Sequence, residues 1–163
     1  MRKKQLLFLV LISLFMLKPI EVYSQLKSYT IEQLDSLQKT EKRKVFVFMH
    51  TDWCKFCQLM KNTTFKNKQV IQALTNQFWF VSLNAEEKRK MSFAKNEYQF
   101  QPTGNQTGIH ELALKLGSIQ GAIAFPSICI LNSDHEIIFQ HQQYLKSADL
   151  LQLLVPLDKK YPN

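Results

Sequence analysis

An α/β layer fold with a mixed sheet is predicted by three features of the chain. Short apolar runs rich in β-branched and aromatic residues alternate with segments whose apolar residues recur at helical spacing. The last two such runs are separated only by Asn132-Ser133-Asp134-His135, which reads as a hairpin and so as an antiparallel part of the sheet. The 163 residues, 45% hydrophobic and 21% charged, suit one domain with a short appendage.

The appendage is the amino terminus. Arg2, Lys3 and Lys4 precede an uncharged run from Leu6 to Leu17, followed by Lys18-Pro19 and Val22-Tyr23-Ser24. This is the layout of a secretory signal peptide over residues 1–24, with cleavage expected after Ser24 and a domain over 25–163. A bilayer-spanning helix needs about 20 apolar residues, so a retained anchor is the weaker reading and no stable membrane span is expected after cleavage. Cleavage would leave 17 basic against 12 acidic side chains, reducing the net charge from +8 to +5. The remaining basic residues form only small clusters, at 42–44 and 88–90, without interleaved aromatics. That pattern argues for solvated faces and against a nucleic-acid partner.

Thr30-Ile31-Glu32-Gln33 reads as a capping box opening a helix with an apolar stripe of Ile31, Leu34 and Leu37, ending before Lys42. Val45 to Met49 is a nearly continuous apolar run, as in a strand buried on both faces, closed by His50. From Cys54, the residues Phe56, Leu59 and Met60 recur at helical spacing, and Val70, Ile71 and Leu74 mark a further helix. Phe78 to Leu83 is a second strand ending at Asn84. Residues 85–109, broken by Pro102, Gly104 and Gly108, predict an irregular excursion with a helix over Lys90 to Tyr98. His110 to Leu116 follows as a helix stopped by Gly117. Ile128 to Leu131 and Glu136 to Gln140 form the hairpin, and Ser147 caps a last helix carrying Leu150, Leu151 and Leu154.

The chemistry-bearing motif is Asp52-Trp53-Cys54-Lys55-Phe56-Cys57. Cysteines three apart on a first helical turn share a face at about 5–6 Å between α-carbons, a separation that permits a disulfide. The partial positive charge of the helix start favours a thiolate at Cys54, leaving Cys57 to attack a mixed disulfide. Lys55 adds positive charge and Asp52 opposes it, unless that carboxylate caps the helix. Zinc sites use the same spacing, but no second cysteine pair is present, and only His50 and His110 could complete four ligands. A closed structural disulfide is the other alternative. Cys129, among β-branched neighbours, reads as a buried small hydrophobe, and His135 and His141 as solvent-exposed.

With the strand before Trp53-Cys54-Lys55-Phe56-Cys57, the pair Leu83-Asn84, and Phe125-Pro126-Ser127 before Ile128, the chain resembles the thioredoxin superfamily over about residues 40–157. The resemblance implies a thioredoxin fold, a central mixed sheet flanked by helices, with an extended insertion before a cis-proline strand. It implies a cis Pro126 beside Cys54, a Phe125 backbone that hydrogen-bonds an extended substrate peptide, and Trp53 as an apolar wall. Proline at a strand start and core packing of Trp53 and Phe125 are the plainer readings.

The chain departs from thioredoxins proper in three places. Phe48 stands where they carry a buried aspartate, Ser82 where they carry a lysine, and Lys55-Phe56 where they carry Gly-Pro. His50 is a candidate substitute titrating group, against the plainer reading of a packed or solvated residue. The segments His50 to Cys54 and Gly108 to Ala113 resemble a branch common among exported bacterial proteins. This implies a periplasmic or secreted thiol-disulfide oxidoreductase acting on protein disulfides or dithiols, its expected reaction the reduction of protein disulfides by Cys54 attack and Cys57 resolution, with a partner that resets the cysteine pair. A disulfide-donating oxidase and a non-catalytic peptide-binding module are the alternatives. Long excursions in compact domains are often functional, so Gln101 to His110 is a candidate substrate-selecting rim. No motif calls for an organic cofactor or a metal.

Overall fold

The computed structural model describes residues 25–160, so the expected signal peptide lies outside the described residues. In chain order, a 3-10 turn at Ile31–Gln33 leads into α1 (Leu34–Thr40), β1 (Lys44–His50) and α2 (Lys55–Asn62). A second 3-10 turn, Thr64–Lys66, precedes α3 (Lys68–Gln77) and β2 (Phe78–Asn84). The short strands β3 (Met91–Phe93), β4 (Asn96–Tyr98), β5 (Phe100–Pro102) and β6 (Gly108–His110) come next. They are followed by α4 (Glu111–Gly117), β7 (Ser127–Leu131), β8 (Ile137–Gln142) and α5 (Ser147–Lys160). The main sheet runs β2-β1-β7-β8, with β1 parallel to β2 and antiparallel to β7, and β7 antiparallel to β8. Among the described residues no helix is long and apolar enough to cross a membrane.

Every residue of β1 is buried, as its unbroken apolar run predicts. The strand's two-residue period divides the core. Val45, Val47 and Met49 join Val81, Leu83 and Leu131 with Leu34, Leu112 and Leu116 from α1 and α4. Phe46 and Phe48 join Phe80, Ile128 and Ile130 with Met60, Leu74 and Leu150 from α2, α3 and α5. Phe65, on the turn between α2 and α3, sets its ring edge-on against Phe46, Phe48 and Phe80 at centroid distances of 6.3, 4.8 and 5.2 Å.

Local chemistry explains the helix starts. The Thr30 N–H donates to Gln33 Oε1 at 2.9 Å, one half of the expected capping box. Asn67 Oδ1 accepts from the Gln69 and Val70 N–H groups and caps α3. Ser147 does not cap the last helix as expected. It lies inside α5, and the Lys146 carbonyl accepts the Leu150 N–H at 3.0 Å.

The main correction falls on 85–109. The segment expected to hold a helix over Lys90 to Tyr98 is a β3–β4 hairpin, followed by a second hairpin, β5–β6. Ala94 and Lys95 turn the first with φ of 49° and 62°, a two-residue left-handed turn made without the Asn or Gly that signals one in a sequence. Met91, Phe93 and Tyr98 are buried from this hairpin against the β1 core. In the second, Gly108 is required by close approach, since a Cβ there would lie 2.4 Å from the Gln101 carbonyl oxygen. His135 and His141 also differ from expectation. Both are half-buried, His135 against Phe93 at 4.9 Å between ring centroids and His141 stacked on Phe139 at 6.4 Å.

Phe46 is fully buried and meets the rings of Phe65, Phe78 and Phe80, so Phe46→Ala is expected to cost about 3–5 kcal/mol in guanidinium unfolding of the oxidised protein. A loss under about 1 kcal/mol would contradict the role given to this face of β1.

Candidate active site

The site is built where chain ends meet at one edge of the sheet. His50 ends β1 opposite Asn84 at the end of the parallel strand β2, while Met49 pairs with Ser127 at the start of the antiparallel strand β7. The loop 51–53, the Asn84–Glu86 turn and the Phe125–Pro126 segment therefore leave the sheet at the same end.

Hydrogen bonds tie the first two together. The Ala85 N–H donates to the His50 carbonyl at 2.8 Å and Asn84 Nδ2 to Asp52 Oδ2 at 3.3 Å. Trp53 Nε1 donates to Glu86 Oε1 at 3.0 Å. Trp53 is thus held at its polar end while its rings stand 69% exposed, which excludes the core-packing reading and leaves an apolar face open to solvent.

Cys54 and Cys57 form a disulfide with their α-carbons 5.2 Å apart, as the spacing predicts. Cys54 rather than Asp52 is the N-cap of α2, and its Sγ accepts the Cys57 N–H at 3.1 Å. Asp52 is engaged by Asn84 instead. A backbone N–H aimed at Sγ from the positive end of a helix stabilises negative charge on that sulfur. The two sulfurs differ in position, since Cys57 is fully buried and Cys54 keeps 5% of its surface.

The expected helix is present, and its outer face leaves part of the apolar stripe in solvent. Only Cys57 and Met60 of the helix are buried, while Phe56 and Leu59, counted in its apolar stripe, are 61% and 42% exposed. Tyr144 approaches Phe56 at 6.2 Å between ring centroids. Opposite, the Phe125–Pro126 peptide is cis, Pro126 is buried, and Phe125 is half-buried against both core clusters.

His50 is 6% exposed and stacks on Phe48 at 5.6 Å. Lys61 Nζ lies 3.1 Å from its Nε2 and 3.2 Å from Nδ1, so a neutral ring accepts the ammonium at one nitrogen. Burial, and then the Lys61 charge, hold the imidazole pKa down at about 4, with Asp52 pulling the other way. His50 is therefore a neutral acceptor near neutral pH.

His110, the other candidate ligand, serves structure. It is fully buried, its Nδ1 accepts the Leu112 N–H at 3.2 Å to cap α4, and its Nε2 donates to the Arg89 carbonyl at 3.2 Å. Cys129 is buried in β7, and burial pushes its thiol up to about 12, consistent with an inert core residue. Glu86, Lys61 and Tyr144 are the neighbours that sequence reasoning did not single out. Their partners lie 11 to 88 residues away, and no local pattern marks them.

A family model describing a thioredoxin-like domain matches residues 31–156, spanning the cysteine pair, both cores and the cis-proline strand. The chain belongs to the thioredoxin-like family. With a Cys54–Cys57 disulfide at the start of its helix, this thioredoxin-like protein is a thiol-disulfide oxidoreductase. Among solved structures it is similar to a DsbH oxidoreductase, with TM-score 0.60 and 14% identity over 87% of this chain and 90% of that one. A thioredoxin from Thermus thermophilus superposes with TM-score 0.61 and 19% identity over 85% and 92% of the two chains. A disulphide isomerase from Xylella fastidiosa does so with 0.51 and 12% identity over 76% and 84%. These likenesses establish the thioredoxin fold. A search of curated proteins finds no match.

The His50 environment has a pH consequence. The unfolded ring takes up a proton near 6.5 and the folded ring only near 4, so the contribution to stability is whole above 6.5 and is lost as pH falls through that window. Between pH 7 and 4 the wild type is expected to lose roughly 2–3 kcal/mol more than His50→Gln in urea unfolding. Parallel curves for the two proteins would contradict the assignment.

Proposed function

We propose that the chain is an exported disulfide reductase, with residues 1–24 as its cleaved signal and the periplasm or the cell exterior as its compartment. The observation that carries the reading is the asymmetry of the pair, with Cys54 capping the helix start and keeping 5% of its surface while Cys57 is fully buried.

In the reduced protein the Cys54 thiolate attacks one sulfur of a substrate disulfide. A bond forms between Cys54 and that sulfur, and the other substrate sulfur leaves as a thiolate. Cys57, deprotonated by solvent, then attacks Cys54 Sγ, expels the second substrate thiolate and closes the Cys54–Cys57 disulfide. Two electrons pass to the substrate, and an external dithiol partner must return them to the protein.

Trp53, exposed and tethered by Glu86, supplies an apolar wall for the substrate. Phe125 and Pro126, at the start of β7 on the same edge of the sheet, supply the backbone against which an extended peptide lies. The reducing direction is part of the proposal, and it is decided by the potential of the pair, since strong oxidants are those whose reduced form is heavily stabilised. Phe48 and Ser82, where thioredoxins carry ionisable residues, leave proton transfer to water.

Cys57→Ser is expected to accumulate substrate proteins as mixed disulfides on Cys54, seen as reductant-sensitive adducts on non-reducing gels, while Cys54→Ser accumulates none. Equal adducts from both variants would contradict the assigned roles. Trp53→Ala is expected to slow reduction of a protein disulfide about tenfold while changing turnover of a small aromatic disulfide less than about twofold. Equal slowing on both substrates would remove Trp53 from the substrate wall.

A further inference from the structure

Residues 26–29 are fastened along the outer edge of β2. Leu26 packs against the core cluster that holds Phe46, Phe48 and Phe80. The Ser82 N–H donates to Ser28 Oγ at 3.1 Å, and the Tyr29 N–H donates to the Phe80 carbonyl at 2.8 Å. The Tyr29 ring meets Trp79 edge-on at 5.2 Å between centroids, and Lys27 Nζ lies 4.8 Å from the centre of the Tyr29 ring. The chain is thus held to the domain from Leu26 onward. Gln25 stands one residue before the first of these contacts, exposed at the rim of a cleft of about 810 Å³ beside α3.

The proposed export signal ends at Ser24. A cut there removes none of these contacts and makes Gln25 the first residue of the exported protein. Glutamine at a chain start can react with itself, because its own α-amino nitrogen reaches the side-chain carbonyl carbon and closes an unstrained lactam. A free α-amino group titrates at about 8, so roughly a tenth of it is the uncharged nucleophile at pH 7. Every atom of the new ring belongs to Gln25, so the packing of Leu26 and the backbone bonds of Tyr29 need not move. A buried glutamine would have to give up packing to close the same ring, whereas Gln25 is exposed.

We propose that Gln25 of the exported protein is a modification site that becomes pyroglutamate, an inference that rests on the export reading with its cut after Ser24. The α-amino nitrogen attacks Gln25 Cδ, and an N–Cδ bond forms as the Cδ–Nε2 bond breaks. Nε2 leaves as ammonia, carrying the proton that the amine gives up. The reaction is intramolecular and needs no oxidant, reductant or co-reactant. Its product carries no terminal charge and offers an aminopeptidase no free amine, which protects Leu26, the first residue packed on the core.

The test exports the full chain from a bacterial host, recovers the product outside the cytoplasm and holds it at neutral pH until its mass is constant. The expected mass is that of residues 25–163 less one ammonia. Stepwise amino-terminal degradation should release nothing until pyroglutamyl aminopeptidase has removed the ring, after which Leu-Lys-Ser is read. Gln25→Ala should keep the cut and the disulfide-reducing activity, show no loss of ammonia, and yield its first residue to an aminopeptidase that leaves the wild type intact. A wild-type mass without the loss, with Gln-Leu-Lys read directly, would overturn the inference and leave the cut standing. A first residue other than Gln25 would overturn both the inference and the cut. Turnover of a protein disulfide by the same sample decides the reductase reading independently of either result.

Discussion

The complete burial of β1 is the constraint on which the rest of the structure depends. A strand that alternates Val, Phe, Val, Phe, Met must cover both faces, so helices are required above and below the sheet and paired strands on both sides. Its register with β2 and β7 then decides which chain ends meet. The residues that carry chemistry lie one step beyond those ends, in the loop before Cys54, the turn after Asn84 and the cis-proline segment before Ser127. The redox site is thus brought together by the core and then fixed by its own hydrogen bonds between the loop before Cys54 and the turn after Asn84.

Within that frame α2 divides the labour between two identical side chains. The helix start meets Cys54 with a backbone N–H, and the amphipathic turn of the helix drives Cys57 and Met60 inward while turning Phe56 and Leu59 outward. Exposed aromatics around a reactive sulfur would be a liability on an ordinary surface. Here Trp53 is held by Glu86 and Phe56 is flanked by Tyr144, so the apolar rim is ordered before anything binds.

Most of the fold was legible because it follows from periodicity. Val45 to Met49, Phe78 to Leu83 and Ile128 to Leu131 could only be strands, and the helices at Leu34, Val70 and Leu150 had clear stripes. The hairpin at 91–98 was not legible, because its turn is made by Ala94 and Lys95 in a backbone region that sequence patterns assign to Gly and Asn. The spacing of Phe56, Leu59 and Met60 marked a helix correctly, but an apolar stripe does not say which part of it meets the core, and of these three only Met60 does. Of the site, Cys54, Cys57, Trp53 and the cis Pro126 were visible in the chain as a local motif and a resemblance. Glu86 holding Trp53 and Lys61 against His50 were not, because such pairings exist only after the strands are in register.

The most direct test of the central claim is the equilibrium redox potential of the Cys54–Cys57 pair, measured across a graded thiol buffer. The proposed reductase predicts a value near that of thioredoxin, about −270 mV. A value near that of the strong periplasmic oxidants, about −120 mV, would contradict the reducing direction, and a pair that did not cycle would contradict the redox assignment itself.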